Sequence, residues 1–356
     1  MTQILKLKSP ADFIGKQGQP GMISFGSGQP DLPPPKEAFE KVEFRRDLRY
    51  GLIQGELSLR EALAHEYPGS TAENFVITNG ASEALDLIFR IWGKGGKVLL
   101  PRPYYYSYPP IIEMAGMVPV YTDLVQGRID IEDFKKKVKG CKAVLINSPS
   151  NPTGRVENIE TLKTIEKITK ELGVYVVSDE VYKDLIYERE NYHLQGDHVI
   201  TVNSFSKTYC LCGLRVGYLW SADKSVVEDV CEMKTHTSMN TNLIGQDMAL
   251  AAMKVPKEYI LNEQKIWHER RDIIYKGLTD LGFDLWKPEG AFYVLPKCKN
   301  AREFVSTLYL DYKVITYLGE WFGAPDRIRL SYALDVKLIE EGLARIKQAM
   351  QKVKVL

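Results

Sequence analysis

Short apolar runs alternate with longer amphipathic stretches through the first three quarters of the chain. The short runs are rich in β-branched residues and indicate strands over 74–78, 97–100, 118–121, 142–147, 174–178, 198–203 and 215–220. Between them, apolar residues recur at helical spacing and predict helices over 82–92, 105–115, 129–138 and 158–172. Strands that alternate with helices in this way predict an α/β fold, with a mostly parallel, seven-stranded sheet between two layers of helices.

The pattern changes near Pro256. From here the sequence predicts a long helix toward Leu281, later helices over 302–310 and 336–352, and strands over 283–286, 291–295, 313–316 and 327–330. These elements predict a smaller α+β domain that also takes in the proline-rich first 44 residues. The expected domains are therefore a large one over 45–275 and a small one built from 1–44 and 276–356.

Composition and charge narrow the class of protein. The chain has 356 residues, of which 44% are hydrophobic and 26% charged, as in an ordinary globular protein. Its 47 basic and 46 acidic residues leave a formal net charge of +1, so no overall field favours nucleic acid. No apolar run reaches the ~18 residues of a membrane helix, and the five scattered cysteines form no disulfide or zinc pattern. We expect a cytoplasmic protein without membrane, nucleic-acid or metal partners.

A lysine follows one of the central strands. In an open parallel sheet, ligands bind beyond the carboxyl ends of the strands. Lys207 lies there, in Ser204-Phe205-Ser206-Lys207, and Arg215 follows eight residues later. Two hydroxyl groups and a guanidinium suit a phosphate dianion. A nucleophilic lysine beside a phosphate site points to a Schiff base with a phosphorylated aldehyde.

Polar residues follow two neighbouring strands as well. Asp179 comes after the strand over 174–178, and a carboxylate there could keep a pyridine nitrogen protonated. Tyr182, three residues on, could donate to a phenolate oxygen. Asn151 lies in the turn Ser148-Pro149-Ser150-Asn151-Pro152-Thr153-Gly154, which directs its side chain toward a ring substituent. A helix cap or a plain rigid turn would explain each of these segments by itself.

Two further segments suit parts of the same ligand. Gly80, Ala81 and Ser82 stand at the start of a predicted helix, where backbone N–H groups favour an anion. Tyr105, within Tyr104-Tyr105-Tyr106, offers a face on which a flat ring can stack.

Taken together and in this order, the segments resemble those of the class I/II aminotransferases, the fold type I enzymes that use pyridoxal 5′-phosphate (PLP). The resemblance extends from Gly28-Gln29-Pro30-Asp31 to Arg327-Ile328-Arg329-Leu330-Ser331. It rests on the ordered set Asn-Gly-Ala-Ser, Asn-Pro-Thr-Gly, Asp-Glu-Val-Tyr, Ser-Phe-Ser-Lys and Leu-Arg-Val-Gly. It implies a cofactor site formed by Gly80, Ala81, Ser82, Tyr105, Asn151, Asp179, Tyr182, Ser204, Lys207 and Arg215.

The resemblance also implies roles and an assembly. Lys207 would carry the cofactor as a Schiff base and move the proton, with Asp179 and Tyr182 as its catalytic partners. The substrate would be held by Arg329, Gly28 and Asn151. Tyr50, in Tyr50-Gly51-x-x-x-Gly55, resembles the tyrosine that reaches the partner subunit's phosphate site, which implies a homodimer with composite active sites. The implied reaction moves an amino group between an L-amino acid and a 2-oxo acid by a ping-pong mechanism.

Two questions stay open at this point. A PLP-dependent C–S lyase or amino-acid decarboxylase on the same scaffold would share every cofactor residue. The substrate is also unassigned, because the stretch 234–246, where dicarboxylate-specific relatives often carry an arginine, has none. Lys234 and His236 fit the surface of a helix, and His236 could instead face the pocket. Arg102 is another candidate contact for an anion, although a solvated position explains it better. Tyr104, Tyr106 and Tyr108 suit an aromatic or broad specificity, or simple packing.

Overall fold

The computed structural model describes residues 4–42 and 45–356. Residues 1–3 and 43–44, which the sequence assigns to the small domain, lie outside the described residues. The described helices are α1 (Glu37–Glu40), α2 (Leu57–Ala64), α3 (Gly80–Trp92), α4 (Tyr108–Met114), α5 (Ile131–Lys137), α6 (Ile159–Leu172), α7 (Lys224–Thr235), α8 (Leu243–Ala252), α9 (Lys257–Asp280), α10 (Ala301–Tyr312) and α11 (Val336–Ala349). The described strands are β1 (Ile23–Ser24), β2 (Phe75–Thr78), β3 (Lys97–Arg102), β4 (Val118–Val125), β5 (Arg128–Ile129), β6 (Ala143–Asn147), β7 (Tyr175–Asp179), β8 (Val199–Ser204), β9 (Gly217–Ser221), β10 (Tyr293–Val294), β11 (Val314–Ile315), β12 (Tyr317–Leu318) and β13 (Ile328–Ser331).

The centre of the molecule is an eight-stranded sheet in the order β2-β9-β8-β7-β6-β3-β4-β5. Strands β8, β7, β6, β3 and β4 are parallel, whereas β9 runs antiparallel to β2 and β8. The predicted α/β fold with a mainly parallel sheet is thereby confirmed. The count of seven strands was wrong, because the two-residue edge strand β5 pairs antiparallel with β4 and is too short to show a pattern of its own.

Helices cover both faces of this sheet, as the alternation of side chains along its strands requires. Val98 and Leu100 of β3 pack into one hydrophobic cluster with residues of α3, α4 and α7. Leu99, between them, packs on the opposite face with residues of α5 and α6. Successive residues of a strand point to opposite faces, so a strand covered on both sides is apolar throughout. Within the described ranges no helix combines the length and the apolar character needed to cross a membrane.

A separate hydrophobic cluster joins the two ends of the chain. Phe13 and Phe25 pack in it with side chains from α9, α10 and α11. Strand β1 pairs in parallel with β11, and β13 lies between β10 and β12 in a three-stranded antiparallel sheet. The boundaries proposed for the two domains stay a prediction, and α9 runs without interruption through the one at 275/276.

The C-terminal strands are shorter than the sequence indicates. The predicted strand over 283–286 has no regular structure. Its apolar residues are used in side-chain packing instead, and the Trp286 ring centre lies 4.1 Å from the guanidinium carbon of Arg327. Only Tyr293–Val294 of the predicted strand over 291–295 pairs as a strand.

Candidate active site

The carboxyl ends of the parallel strands border a cavity of about 420 Å³. The structure brings most of the predicted site residues to its wall. These are Gly28, Ala81, Ser82, Tyr105, Asn151, Asp179, Tyr182, Ser204, Lys207, Arg215 and Arg329. The chain ends contribute Gly28 and Arg329, and the ends of the central strands with the segments that follow them contribute the rest.

Asp179 ends β7 and is buried in the wall of the cavity. Its Oδ2 accepts a hydrogen bond from the Tyr108 hydroxyl at 2.7 Å, and its Oδ1 accepts one from the Val181 N–H at 3.2 Å. Burial raises the pKa of Asp179 to about 6, against the opposing effect of these two hydrogen bonds. A cation placed in the cavity would favour the ionised carboxylate.

The amine of Lys207 is also enclosed. Lys207 Nζ donates to the Gly28 carbonyl at 2.6 Å and lies 5.9 Å from the centre of the Tyr182 ring. Burial lowers the pKa of Lys207, and the positive charges of Arg215 and Arg329 act in the same direction. A lysine with a lowered pKa holds more of the neutral amine, which is the form that acts as nucleophile and base.

Arg329 lies in β13, the middle strand of the three-stranded sheet, and lines the cavity from that side. Its Nη1 donates to Asn151 Oδ1 at 3.1 Å, and its Nη2 donates to the Gly26 carbonyl. Its Nε is buried and has no hydrogen-bond partner among the described residues. A buried donor without a partner is unfavourable unless a ligand satisfies it, so Arg329 is suited to a carboxylate.

The start of α3 and Arg215 lie together at one end of the cavity. This end, called the phosphate end below, has the groups that suit a phosphate. Gly80 has a φ of +74°, and a Cβ on it would lie 2.5 Å from Arg215 Nη2, so a larger residue would displace the guanidinium. Gly217 packs against the same turn, where a Cβ would lie 2.6 Å from the Gly80 carbonyl carbon. Arg215 itself has a φ of 56°, and its Nη1 donates to the Cys212 carbonyl at 3.1 Å. Exposed helix N–H groups beside a guanidinium suit a phosphate dianion.

Sequence reasoning missed two tyrosines of the site's hydrogen-bond network. Tyr108, regarded above as a specificity or packing residue, is the donor to Asp179. The hydroxyl of Tyr293 lies 2.7 Å from that of Tyr182, and burial raises the pKa of Tyr293 to about 12. The position of Tyr108 beyond the end of β3 was a usable signal. Tyr293 follows Tyr182 by 111 residues, so no local pattern could pair them.

Other candidates do not line the cavity. Tyr50 is 81% exposed and borders a surface groove with Leu243. Lys234 is buried rather than on the surface, because its Nζ donates to Glu83 Oε2 at 3.0 Å beneath the start of α3. His236 is exposed and pairs with Glu232, and Arg102 pairs with Asp123.

Comparison with known proteins agrees with this site. The sequence profile of the family described as "Aminotransferase class I and II" matches residues 20–346. The chain belongs to the class I and II aminotransferases. It is a PLP-dependent aminotransferase, and the alternative of a lyase or decarboxylase is not favoured.

Relatives of known sequence and structure cover nearly the whole chain. The aspartate aminotransferase of Geobacillus stearothermophilus is 32% identical over 93% of this chain and 91% of that protein. A probable aspartate/prephenate aminotransferase of Aquifex aeolicus is 34% identical over 93% and 92%. A double mutant of Thermus thermophilus aspartate aminotransferase superposes with a TM-score of 0.89 at 28% identity, covering 97% of each chain. The aromatic aminotransferase of Pyrococcus horikoshii gives 0.86 at 28% identity, covering 97% and 99%.

The residues of the cavity fit this cofactor. The close approach of Gly80 to Arg215 leaves no room for a side chain, and a guanidinium beside a helix start suits an anion. Burial raises the pKa of Asp179, so its carboxylate would gain from a positive partner such as a protonated ring nitrogen. Burial lowers the pKa of the Lys207 amine, which suits reaction with an aldehyde.

The burial of Asp179 predicts a pH dependence of stability. Its pKa of about 6 in the folded state exceeds the ordinary 3.8, so the folded state binds the proton more tightly. This carboxyl therefore makes the wild-type protein less stable as the pH rises from about 4 to about 6. Asp179→Asn should stabilise the cofactor-free protein at pH 7.5 by up to about 3 kcal/mol, and by much less at pH 4.5.

Urea unfolding at a series of pH values measures this effect. Asp229→Asn, at an exposed position, is the control and should leave the stability profile unchanged. Parallel profiles for Asp179→Asn and the wild type would contradict the prediction.

Proposed function

We propose that this aminotransferase moves an amino group between an L-amino acid and a 2-oxo acid by a ping-pong mechanism in which Lys207 carries PLP as a Schiff base. The observation that carries the proposal is the meeting of Lys207, Asp179 and Arg329 in one cavity. Burial disfavours the charged form of the lysine there, and Arg329 retains a buried donor for a carboxylate.

The proposed roles follow from the charge and position of each group. Arg215, the N–H groups of Gly80, Ala81 and Ser82, and the Ser204 hydroxyl would hold the phosphate. Asp179 would pair with the ring nitrogen, Asn151 and Tyr182 would bond the phenolic oxygen, and Tyr105 would stack on the ring. Arg329 would bind the α-carboxylate of the substrate, with Asn151 and the backbone of Gly28 beside it.

When bound, PLP supplies an electron-withdrawing ring that stabilises negative charge at the substrate's α-carbon. Arg329 fixes the carboxylate on that carbon, which orients its C–H bond. Burial disfavours the charged form of Lys207 Nζ, which would accept the α-proton and then pass it on to the bound cofactor. Asp179 would pair in its ionised form with a protonated ring nitrogen, and Tyr108 and the Val181 N–H hold its two oxygens in place.

The role of Lys207 can be tested on the covalent link. After borohydride reduction and mass spectrometry, the wild-type protein should carry one cofactor on the peptide that contains Lys207. Lys207→Ala should carry none, and its transamination should fall by at least about a thousandfold, because the chemical step loses its base and nucleophile. Lys265→Ala removes an exposed lysine and is the matched control. Labelling of a different lysine would contradict the assignment.

We further propose a cytoplasmic homodimer with composite active sites. A surface groove beside Tyr50 is bordered by Leu48, Leu243 and Ile244. Leu48 is 62% exposed and Ile244 38% exposed, whereas Leu243 is half-buried. Asn242 of the same groove donates to the Leu214 carbonyl at 3.0 Å, next to Arg215. The groove thus adjoins the phosphate end of the cavity, where a second copy of the chain could place its Tyr50. All five cysteines are free thiols, as is usual in a reducing compartment.

Hybrid dimers test this arrangement. Tyr50→Ala should weaken cofactor binding by about ten- to a hundredfold, because a hydrogen bond to a charged phosphate is lost. Mixing Tyr50→Ala with Lys207→Ala under exchange conditions creates hybrids in which one site contains both native residues. About a quarter of the wild-type activity should return at equal mixing, since half of the dimers are hybrids. Activity no greater than the sum of the two variants would contradict a shared site.

A further inference from the structure

We propose that the part of the cavity beside Arg329 binds the side chain of an aromatic amino acid, so that phenylalanine-like donors are preferred to aspartate. This inference rests on the proposed function, in which Arg329 binds the α-carboxylate. It distinguishes this chain from those relatives that are named aspartate aminotransferases.

The cations of the cavity are already assigned. Among the described residues that line it, the basic side chains are Lys207, Arg215 and Arg329. Lys207 is the proposed nucleophile, Arg215 lies at the phosphate end, and Arg329 serves the α-carboxylate. The side chain of aspartate would bring a second carboxylate into the cavity. A buried charge without a partner is strongly disfavoured, and the described wall has no unassigned cation to pair with this second carboxylate.

Cations near the cavity are engaged elsewhere. Lys234 is paired with Glu83, and Arg102 with Asp123. Lys16, from the N-terminal segment, lies 5.9 Å from the ring centre of Phe13 and 5.5 Å from that of Tyr309. Its neighbour in sequence, Gln17, is uncharged and donates to the hydroxyl of Tyr317, which lines the cavity.

Aromatic rings form the wall beside Arg329. The guanidinium carbon lies 4.6, 4.8 and 4.7 Å from the ring centres of Tyr293, Tyr317 and Phe322. Tyr106 continues the wall, with its ring edge-on to that of Phe322 at 5.8 Å and 4.7 Å from that of Tyr105. Tyr106, Tyr293 and Tyr317 line the cavity, and Phe322 is buried behind them, so a substrate bound at Arg329 would have aromatic rings beside it. Aromatic pairs attract each other in offset and edge-to-face arrangements, beyond the effect of buried area.

The remaining polar groups of this region are neutral. Gln17 Nε2 donates to the Tyr317 hydroxyl at 3.4 Å, and Ser27 accepts from the Gln29 N–H at 3.2 Å. Amides and hydroxyl groups can pair with a phenol but cannot neutralise a carboxylate. The region thus combines an apolar wall with a neutral polar rim, which suits phenylalanine and tyrosine side chains.

Binding of unreactive acids to the holoenzyme tests the inference without turnover. Titration calorimetry should give 3-phenylpropanoate a dissociation constant at least about tenfold lower than that of succinate. The same order should appear in the half-reaction with the donor alone, where the rate with phenylalanine should exceed that with aspartate. Tighter binding of succinate, or a faster reaction with leucine than with phenylalanine, would overturn the proposal.

Variants of Tyr106 connect the preference to the wall. Tyr106→Phe keeps the ring and should keep the order of affinities. Tyr106→Arg supplies a cation and should improve succinate binding, so the dissociation constants of the two acids should come closer together. Tyr106→Ala removes the ring. It should weaken the binding of 3-phenylpropanoate by about fivefold or more and leave the binding of succinate unchanged. Equal losses for both acids in Tyr106→Ala would overturn the assignment of this wall.

A failure of the proposed aminotransferase reaction would give a different result from a failure of the aromatic subsite. If no donor is converted while 3-phenylpropanoate still binds more tightly than succinate, the proposed role of Lys207 fails and the aromatic subsite stands.

Discussion

A carboxylate buried at the end of a parallel strand is the constraint on which this active site depends. Asp179 has too little solvent around it to ionise easily, and burial raises its pKa to about 6. Tyr108 and the Val181 N–H stabilise the ionised form, and Lys207 and Arg329 place positive charge in the same cavity. The groups depend on one another, because each charge makes the burial of the opposite one less unfavourable.

The fold brings these groups together from distant parts of the chain. Parallel strands end at one edge of the sheet, so Asn151, Asp179 and Lys207 meet there although they follow three different strands. The second sheet brings Arg329 to face them, and the hydrogen bond from Arg329 to Asn151 joins the two sides across 178 residues of sequence. The hydrogen bond from Lys207 to Gly28 makes a second link. The cavity is therefore enclosed by both ends of the chain together with its middle.

Local pattern was sufficient for the parts of the fold that repeat with a regular period. Each predicted strand of the main sheet exists, and the clearest signals came from central strands such as β6, β7 and β8, which are buried on both faces. The pattern failed where length or context decides: β5 has two residues, and the apolar residues around Trp286 pack against Arg327 without pairing as a strand. Among site residues, those in turns after strands were recognisable. Tyr293 and the ring wall around Arg329 were not, because their partners lie far away in sequence.

Charge also proved to be a matter of position. Lys234 looked like a surface residue of a helix, yet it is buried against Glu83 and supports the start of α3. The net charge of +1 gave no hint of this ion pair or of the three cations in the cavity. What distinguishes the proposed substrate region is instead the absence of a further cation from its described wall, beside a set of aromatic rings.

The most direct test of the central claim is the protonation state of the cofactor's ring nitrogen in the assembled enzyme. Its ¹⁵N chemical shift, measured with labelled cofactor in wild type and Asp179→Asn, reports that state. We expect a protonated nitrogen in the wild type at neutral pH, and a neutral one when the carboxylate becomes an amide. The same neutral nitrogen in both proteins would contradict the role assigned to Asp179.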